Sequence, residues 1–130
     1  MRQKNRKRVE FILCQNFNYL NSLDSNELGN CLDWIKELKR EILSNYHGKL
    51  CIITQRKESL HNKLDKHYQG NGERKEELEK SFLKVLDLES QIITEEKDYK
   101  IKPLEELETN LLKIKAERKK EKLMINIQKT

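Results

Sequence analysis

The sequence predicts an all-α protein: a long antiparallel helical hairpin of coiled-coil type, with a short N-terminal helix packed on its open end. Apolar residues recur at steps of three and four, which place them on one face of an α-helix. This stripe runs from Leu28 to His67, stops at the Gly-rich segment 69–72, and resumes from Leu78 to Tyr99. The 130 residues include only one proline, and 38% are charged, a composition that favours long exposed helices over a thick globular core.

Residues 1–24 are predicted to form a basic N-terminal arm and an amphipathic helix. The apolar spacing indicates one helix that ends near Asn21, followed by a run of turn-forming residues. Asp24 is a good N-cap for the next helix, and Glu27 follows it at the spacing of a capping box. The residues that share the face of the first helix are Val9, Ile12, Leu13, Asn16, Phe17 and Leu20.

Residues 25–69 are predicted to form one long helix, and its length is itself informative. A helix of this size spans roughly 65 Å, which favours coiled-coil packing over burial in an ordinary globular domain. Gly48 lies inside it, and a mid-helix glycine costs about 1 kcal/mol relative to alanine. We therefore expect a bend at Gly48, with two helices that break there as the alternative.

Residues 70–72 are the predicted reversal, because glycine readily adopts the left-handed conformation that ends a helix. A return helix should occupy 73–102. Pro103 lacks a backbone donor, yet the apolar spacing continues beyond it. A kinked helix over 103–130 with a basic C-terminal end is favoured, and a new helix starting at Pro103 is the alternative. The last helical stretch should decay after Leu123, with 126–130 frayed.

A reversal near residue 71 sets the register of the two arms. The expected facing pairs are Leu64 with Leu78, Leu60 with Phe82, Ile35 with Leu107, and Leu28 with Ile114. The stripe widens at the open end, where the N-terminal helix can cover the additional apolar surface. Apolar residues outside this seam predict contact with a partner helix. The residues assigned to this partner-helix interface are Trp34, Ile52, Leu83, Leu86, Ile93 and Ile101.

The chain carries little of the chemistry that catalysis requires. We find no Gly-rich phosphate loop, no paired Cys-x-x-Cys and no nucleophile motif. His47 and Cys51 share a helical face, but two ligands make a weak metal site. The sequence therefore predicts no enzyme, no cofactor, no metal and no small-molecule substrate. Three cysteines, no secretory signal and no apolar run long enough to cross a bilayer predict a reduced intracellular protein of the cytoplasm or nucleus.

Two basic clusters stand at the ends of the chain. Residues 2–8 carry five basic and no acidic residues, and 113–122 carry six basic and two acidic ones. Together they could attract nucleic acid or another acidic surface. The candidate polyanion-binding residues are Arg2, Lys4, Arg6, Lys7, Arg8, Lys113, Lys115, Arg118, Lys119, Lys120 and Lys122.

These patterns favour a structural or adaptor subunit that docks on partner helices within a larger intracellular assembly. Cytoskeletal, kinetochore-like, tethering and meiotic assemblies are the kinds of complex that use such modules. The partners would be other helical subunits or a second copy of this chain. The alternative is a nucleic-acid-binding helical arm that uses the two basic clusters.

Overall fold

The described residues form four α-helices: α1 (Gln3–Leu13), α2 (Phe17–Asn21), α3 (Ser25–His67) and α4 (Gly72–Lys129). They come from a computed structural model that describes residues 3–70 and 72–129, in which no strand occurs. The two long helices pack against each other as a hairpin, and the short N-terminal segment contacts them. The predicted all-α hairpin is therefore confirmed.

The prediction of a single N-terminal helix is wrong, because α1 ends at Leu13 and a second helix begins at Phe17. Asn16 adopts an extended conformation, and its side chain accepts a hydrogen bond from the Tyr19 backbone N–H at 3.0 Å. Asparagine at this position caps a new helix instead of continuing the old one. Of the predicted face, Val9, Ile12 and Leu20 are buried. Leu13 and Phe17 are exposed.

Asp24 caps α3 as predicted. Its carboxylate accepts a hydrogen bond from the Glu27 backbone N–H at 2.8 Å. That hydrogen bond is the main reason why the pKa of Asp24 lies below its ordinary value. Asp24 in turn raises the pKa of the Glu27 carboxyl, so the two groups impose opposite pH dependences on stability.

A Glu27→Gln background removes the second titration and isolates the first. Because the folded pKa of Asp24 is depressed, its charge stabilises the fold above the ordinary Asp pKa, and that contribution is lost as the pH falls through the folded value. In this background we expect the Asp24 protein to gain thermal stability relative to Asp24→Asn as the pH rises from about 2 to 5. Melting curves across that range measure the gain, and parallel curves would contradict it.

Helix α3 runs without interruption through Gly48, so the alternative of two helices that break there is wrong, and the expected bend stays a prediction. A Cβ atom at Gly48 would meet no heavy atom within 4 Å. Gly48→Ala should therefore raise the free energy of unfolding by about 1 kcal/mol through helix propensity. Gly70 has a φ of +89° and provides the contrast. Gly70→Ala should lower the free energy of unfolding by about 1 kcal/mol, because alanine is strained in this conformation. Urea unfolding of both variants tests this pair, and a destabilised Gly48→Ala would contradict it.

The reversal lies where the glycines predict it, although Asn71 falls outside the described residues. Gly70 has the positive φ that ends α3, and α4 begins at Gly72 with Glu73 in its first turn. Beyond it, α4 continues through Pro103 to Lys129. The alternative of a new helix at Pro103 is therefore wrong. Residues 126–129 are helical where fraying was expected, and Thr130 lies outside the described residues. The last turns consist largely of good helix formers, which sustains the helix.

The chain divides into two units. Among the described residues, the first unit comprises 3–41 and 100–129, and the second comprises 42–99. The first unit has the thicker core, in which Ile35, Leu111 and Ile114 are fully buried. In this unit the Lys39 Nζ of α3 lies 3.6 Å from the Glu108 Oε1 of α4. The remaining buried residues of its α3 and α4 segments are Leu28, Cys31, Leu32, Leu38, Ile101, Leu104 and Leu107.

The second unit is a two-helix pair with a thin apolar seam and several ion pairs. Only Tyr46, Ile53 and Leu64 of its described residues are buried. From one ion pair to the next, the residue number falls along α3 and rises along α4. The two helices are therefore antiparallel, in a register close to the predicted one. The ion pairs are Asp65–Lys75, His61–Glu79 at 3.0 Å, Lys57–Asp87 at 2.6 Å and Arg56–Glu89 at 3.5 Å.

Candidate functional site

Most of the predicted apolar seam of the return helix is exposed in the second unit. Phe82, Val85, Ile92 and Tyr99 were expected to face α3, and all four are exposed. Leu88 is exposed on the same side of the helix. Between 50% and 81% of the surface of each of these five residues is open to solvent. These residues form a row of exposed apolar side chains in the second unit, and we call them the outer stripe.

The inner face of α4 explains why the outer stripe stays exposed. Leu83, Leu86 and Ile93 are half-buried in the second unit. Ser90 and Thr94 are half-buried too, and the Thr94 hydroxyl donates a hydrogen bond to the Ser90 carbonyl at 2.9 Å. A hydroxyl satisfied within its own helix can occupy an inner position without a partner on the facing helix. The inner face is therefore part apolar and part polar.

The outer stripe has the spacing of a helix-docking surface. Val85, Leu88, Ile92 and Tyr99 follow one another at steps of three, four and seven, the pattern of core positions in a coiled coil. From Phe82 to Tyr99 the stripe is roughly 26 Å long. At about 100° per residue its four regularly spaced members fall within an arc of about 60° on one side of α4. A partner helix can bury all four at once.

Two shallow grooves border the outer stripe. One, of about 330 Å³, is lined by Lys80, Lys84, Leu88 and Gln91 among others. The other, of about 270 Å³, lies between the two helices of the unit and includes Phe82 and Val85 in its walls. The outer stripe is thus a ridge with a groove on each side. The side chains of a second helix can pack into grooves of this kind.

The predicted partner-interface residues lie in three different environments. Ile101 is buried in the core of the first unit, so its assignment outside the seam is wrong: it points inward with Leu104 and Leu107. Leu83, Leu86 and Ile93 are half-buried on the inner face of α4, and Trp34 is half-buried in the first unit. Ile52 is exposed. Their contact with a partner stays a prediction, and it is strongest for Ile52.

Trp34 lines a groove of about 580 Å³ in the first unit, formed by α1, α2 and the start of α3. The Arg8 guanidinium carbon lies 5.2 Å from the centre of the Trp34 ring, a cation–π contact that joins α1 to α3. Phe11 and Tyr19 meet edge to face across the same groove, with ring centres 5.8 Å apart. Burial raises the pKa of the Cys31 thiol, also in its wall, and so disfavours the reactive thiolate.

The two basic clusters belong to the first unit in all their described residues, and Arg2 lies outside them. Three arginines make internal contacts. Arg6 pairs with Glu41 at 3.1 Å, Arg8 stacks on Trp34, and Arg118 donates a hydrogen bond to the Asn21 carbonyl at 2.7 Å. The lysines of the two clusters are exposed: Lys4, Lys7, Lys113, Lys115, Lys119, Lys120 and Lys122.

Several titratable residues of the second unit form pairs. The Cys51 Sγ lies 3.6 Å from the His47 Nε2. His61 is exposed, and it places one ring nitrogen 3.0 Å from Glu79 and the other 3.3 Å from Asp65. Over residues 3–70 and 72–129, no group of three or more His, Cys, Asp or Glu side chains has the arrangement to hold a metal ion.

The same described residues contain no helix with the length and apolar character needed to cross a membrane. Comparison with protein-family models, curated proteins and solved structures finds no match to this chain.

Proposed function

We propose that this chain is a structural subunit of an intracellular protein assembly and that it binds a partner helix along the outer stripe of α4. The observation that carries the proposal is the exposure of Val85, Leu88, Ile92 and Tyr99 along one side of a single helix. Exposed apolar rows of this length on a helix are typical of interaction surfaces, and the heptad-like spacing specifies a helical occupant.

The energetics support the same conclusion. A fully buried Val, Leu or Ile side chain contributes about 1.5–3 kcal/mol through removal of apolar surface from water. Val85, Leu88 and Ile92, together with the ring of Tyr99, align on one ridge and offset the entropic cost of association. Isolated exposed leucines, by contrast, do not need any special explanation. The thin seam between α3 and α4 leaves this ridge free to serve a second helix.

Photo-crosslinking tests the proposal directly. A photoreactive amino acid at position 88 should link the chain to a helical segment of its partner in the cells that produce it. The same amino acid at Glu106, which is exposed on α4, serves as the control and should give no comparable product. A Leu88→Asp/Ile92→Asp variant with unchanged helical circular dichroism should elute as a smaller species than the parent assembly. Co-elution of this variant with the parent assembly would refute the proposal.

A second candidate function follows from the seven exposed lysines of the first unit. They could bind the phosphate backbone of a nucleic acid by charge alone. The prediction is that affinity for a short RNA duplex falls steeply between 50 and 200 mM salt. It should be lost when Lys113, Lys115, Lys119 and Lys120 are changed to Glu. Binding that survives this fourfold change would exclude the basic clusters as the cause.

A further inference from the structure

The outer stripe has a charge pattern that is complementary to itself. On one side of the stripe, its N-terminal half is flanked by Lys80 and Lys84, and its C-terminal half by Glu95 and Asp98. All four side chains are exposed. Glu95 accepts a hydrogen bond from Gln91 at 3.2 Å, and Asp98 lies 3.7 Å from Lys97. Both carboxylates therefore keep charge at the surface, with neighbours only on their own helix among the contacts described.

From this pattern we infer that the partner helix on the outer stripe is α4 of a second copy of the chain, packed antiparallel about a two-fold axis near residue 89. This inference rests on the proposed function, since it names the occupant of the same surface. In an antiparallel pair, flanking residues on one side of a helix meet the same side of the partner. Lys84 then faces Glu95 of the other copy, and Lys80 faces Asp98. Symmetry makes each of these pairs twice.

The apolar residues fit the same axis. A two-fold axis near residue 89 brings Leu88 of one copy beside Ile92 of the other. Val85 and Phe82 of each copy then lie against the C-terminal half of the partner's stripe. In a parallel pair each flank of the stripe meets the opposite flank of the partner, so the contacts of Lys84 with Glu95 and of Lys80 with Asp98 do not form. The antiparallel orientation satisfies these flanking charges, and the apolar ridge supplies the affinity.

The interface is small. A ridge of roughly 26 Å on a single helix falls short of the surface that tight, permanent dimers bury, and weak or transient complexes occupy this lower size range. The expected dimer dissociates in the micromolar range. Its orientation is set by exposed ion pairs, which each contribute little to affinity but discriminate well between alternative pairings.

Analytical ultracentrifugation of the full chain, from about 1 to 300 μM, tests the inference. The parent chain should shift from monomer to dimer with rising concentration, and Ile92→Asp should remain monomeric. Lys84→Glu and Glu95→Lys should each weaken dimerisation by about tenfold, because each replaces two attractive contacts with two repulsive ones. Lys66→Glu, the same charge change at another exposed position of the second unit, should leave the dimer unchanged. Circular dichroism confirms that each variant is folded.

A charge-swap experiment gives the sharpest result. Lys84→Glu and Glu95→Lys chains should associate with each other better than either does with itself, and the double variant should recover the parent dimer. A dimer that depends on Ile92 but ignores both charge changes would overturn the antiparallel arrangement. A chain that stays monomeric at every concentration would overturn the second copy as partner. In that case crosslinks from position 88 to another protein would leave the proposed function intact.

Discussion

Leu111→Ala should lower the free energy of unfolding by about 2–5 kcal/mol, while Leu112→Ala should lower it by less than about 1 kcal/mol. Leu111 is completely buried in the first unit, whereas 49% of Leu112 is exposed. Truncating Leu111 removes its transfer free energy and leaves a cavity that its tightly packed neighbours cannot fill. The two variants have the same composition and lie on the same helix, so their propensity terms cancel.

Urea unfolding followed by circular dichroism at 222 nm measures both changes. Ile35→Ala in α3, which is equally buried, provides the matching truncation on the facing helix and should lose a comparable amount. Equal losses for Leu111 and Leu112 would contradict the orientation of α4 in the first unit. The result therefore tests which face of the helix forms the core.

Pro103→Ala should have the opposite sign and raise the free energy of unfolding by up to about 3 kcal/mol. Pro103 lies inside α4 and has no backbone N–H to donate to the Tyr99 carbonyl. Its ring also crowds the preceding turn. Because the side chain is exposed, alanine gives up little buried surface in exchange for the restored hydrogen bond. Lys102→Ala, at the exposed neighbouring position, should change stability by less than about 0.5 kcal/mol.

Thermal and urea unfolding of the two variants decide the matter. A destabilised Pro103→Ala would show that the proline fixes a backbone shape on which the fold depends. An increase close to the full expected value would show that α4 is otherwise a straight helix that tolerates one missing hydrogen bond. The size of the change therefore reports how far the helix departs from regular geometry at this position.

The ends of α3 could be predicted from the sequence because local chemistry sets them. Asp24 caps the backbone N–H three residues later, and Gly70 takes a left-handed conformation close to the last helical turn. Both interactions act within a few residues. The burial of Leu28, Ile35, Leu107 and other widely spaced apolar residues of the first unit was also predictable, because there the apolar stripe of each helix is wide.

The rotation of α4 in the second unit could not be predicted in the same way. This helix has apolar residues on two sides, and the more regular stripe, with Val85 and Ile92, is the exposed one. The side that faces α3 includes Ser90 and Thr94, which a search for apolar periodicity rejects. The facing helix decides between the two sides, and the periodicity of α4 alone does not contain that information. The sequence therefore indicated a second apolar stripe, but periodicity alone could not tell which of the two stripes on α4 stays exposed.

Asn16 is a local signal for the break between α1 and α2, but the apolar periodicity on both sides of it indicates one continuous helix. Apolar positions continue in phase from Ile12 to Leu20, so spacing alone indicates one helix. Asn16 nevertheless has the side chain of a capping residue, and it binds the backbone three residues ahead. Where a strong cap falls inside a continuous stripe, tertiary packing decides whether the helix breaks.

Because Arg8 stacks on Trp34, the fluorescence of this tryptophan is an intrinsic probe of the contact between α1 and α3. The indole is the only one in the chain, so steady-state emission reads a single location. If the amino-terminal arm lifts away, the ring gains water and its emission shifts to longer wavelength, while the far-ultraviolet signal of the two long helices barely changes. Detachment of the N-terminal helix and unfolding of the two long helices can therefore be followed separately in one sample, without any label.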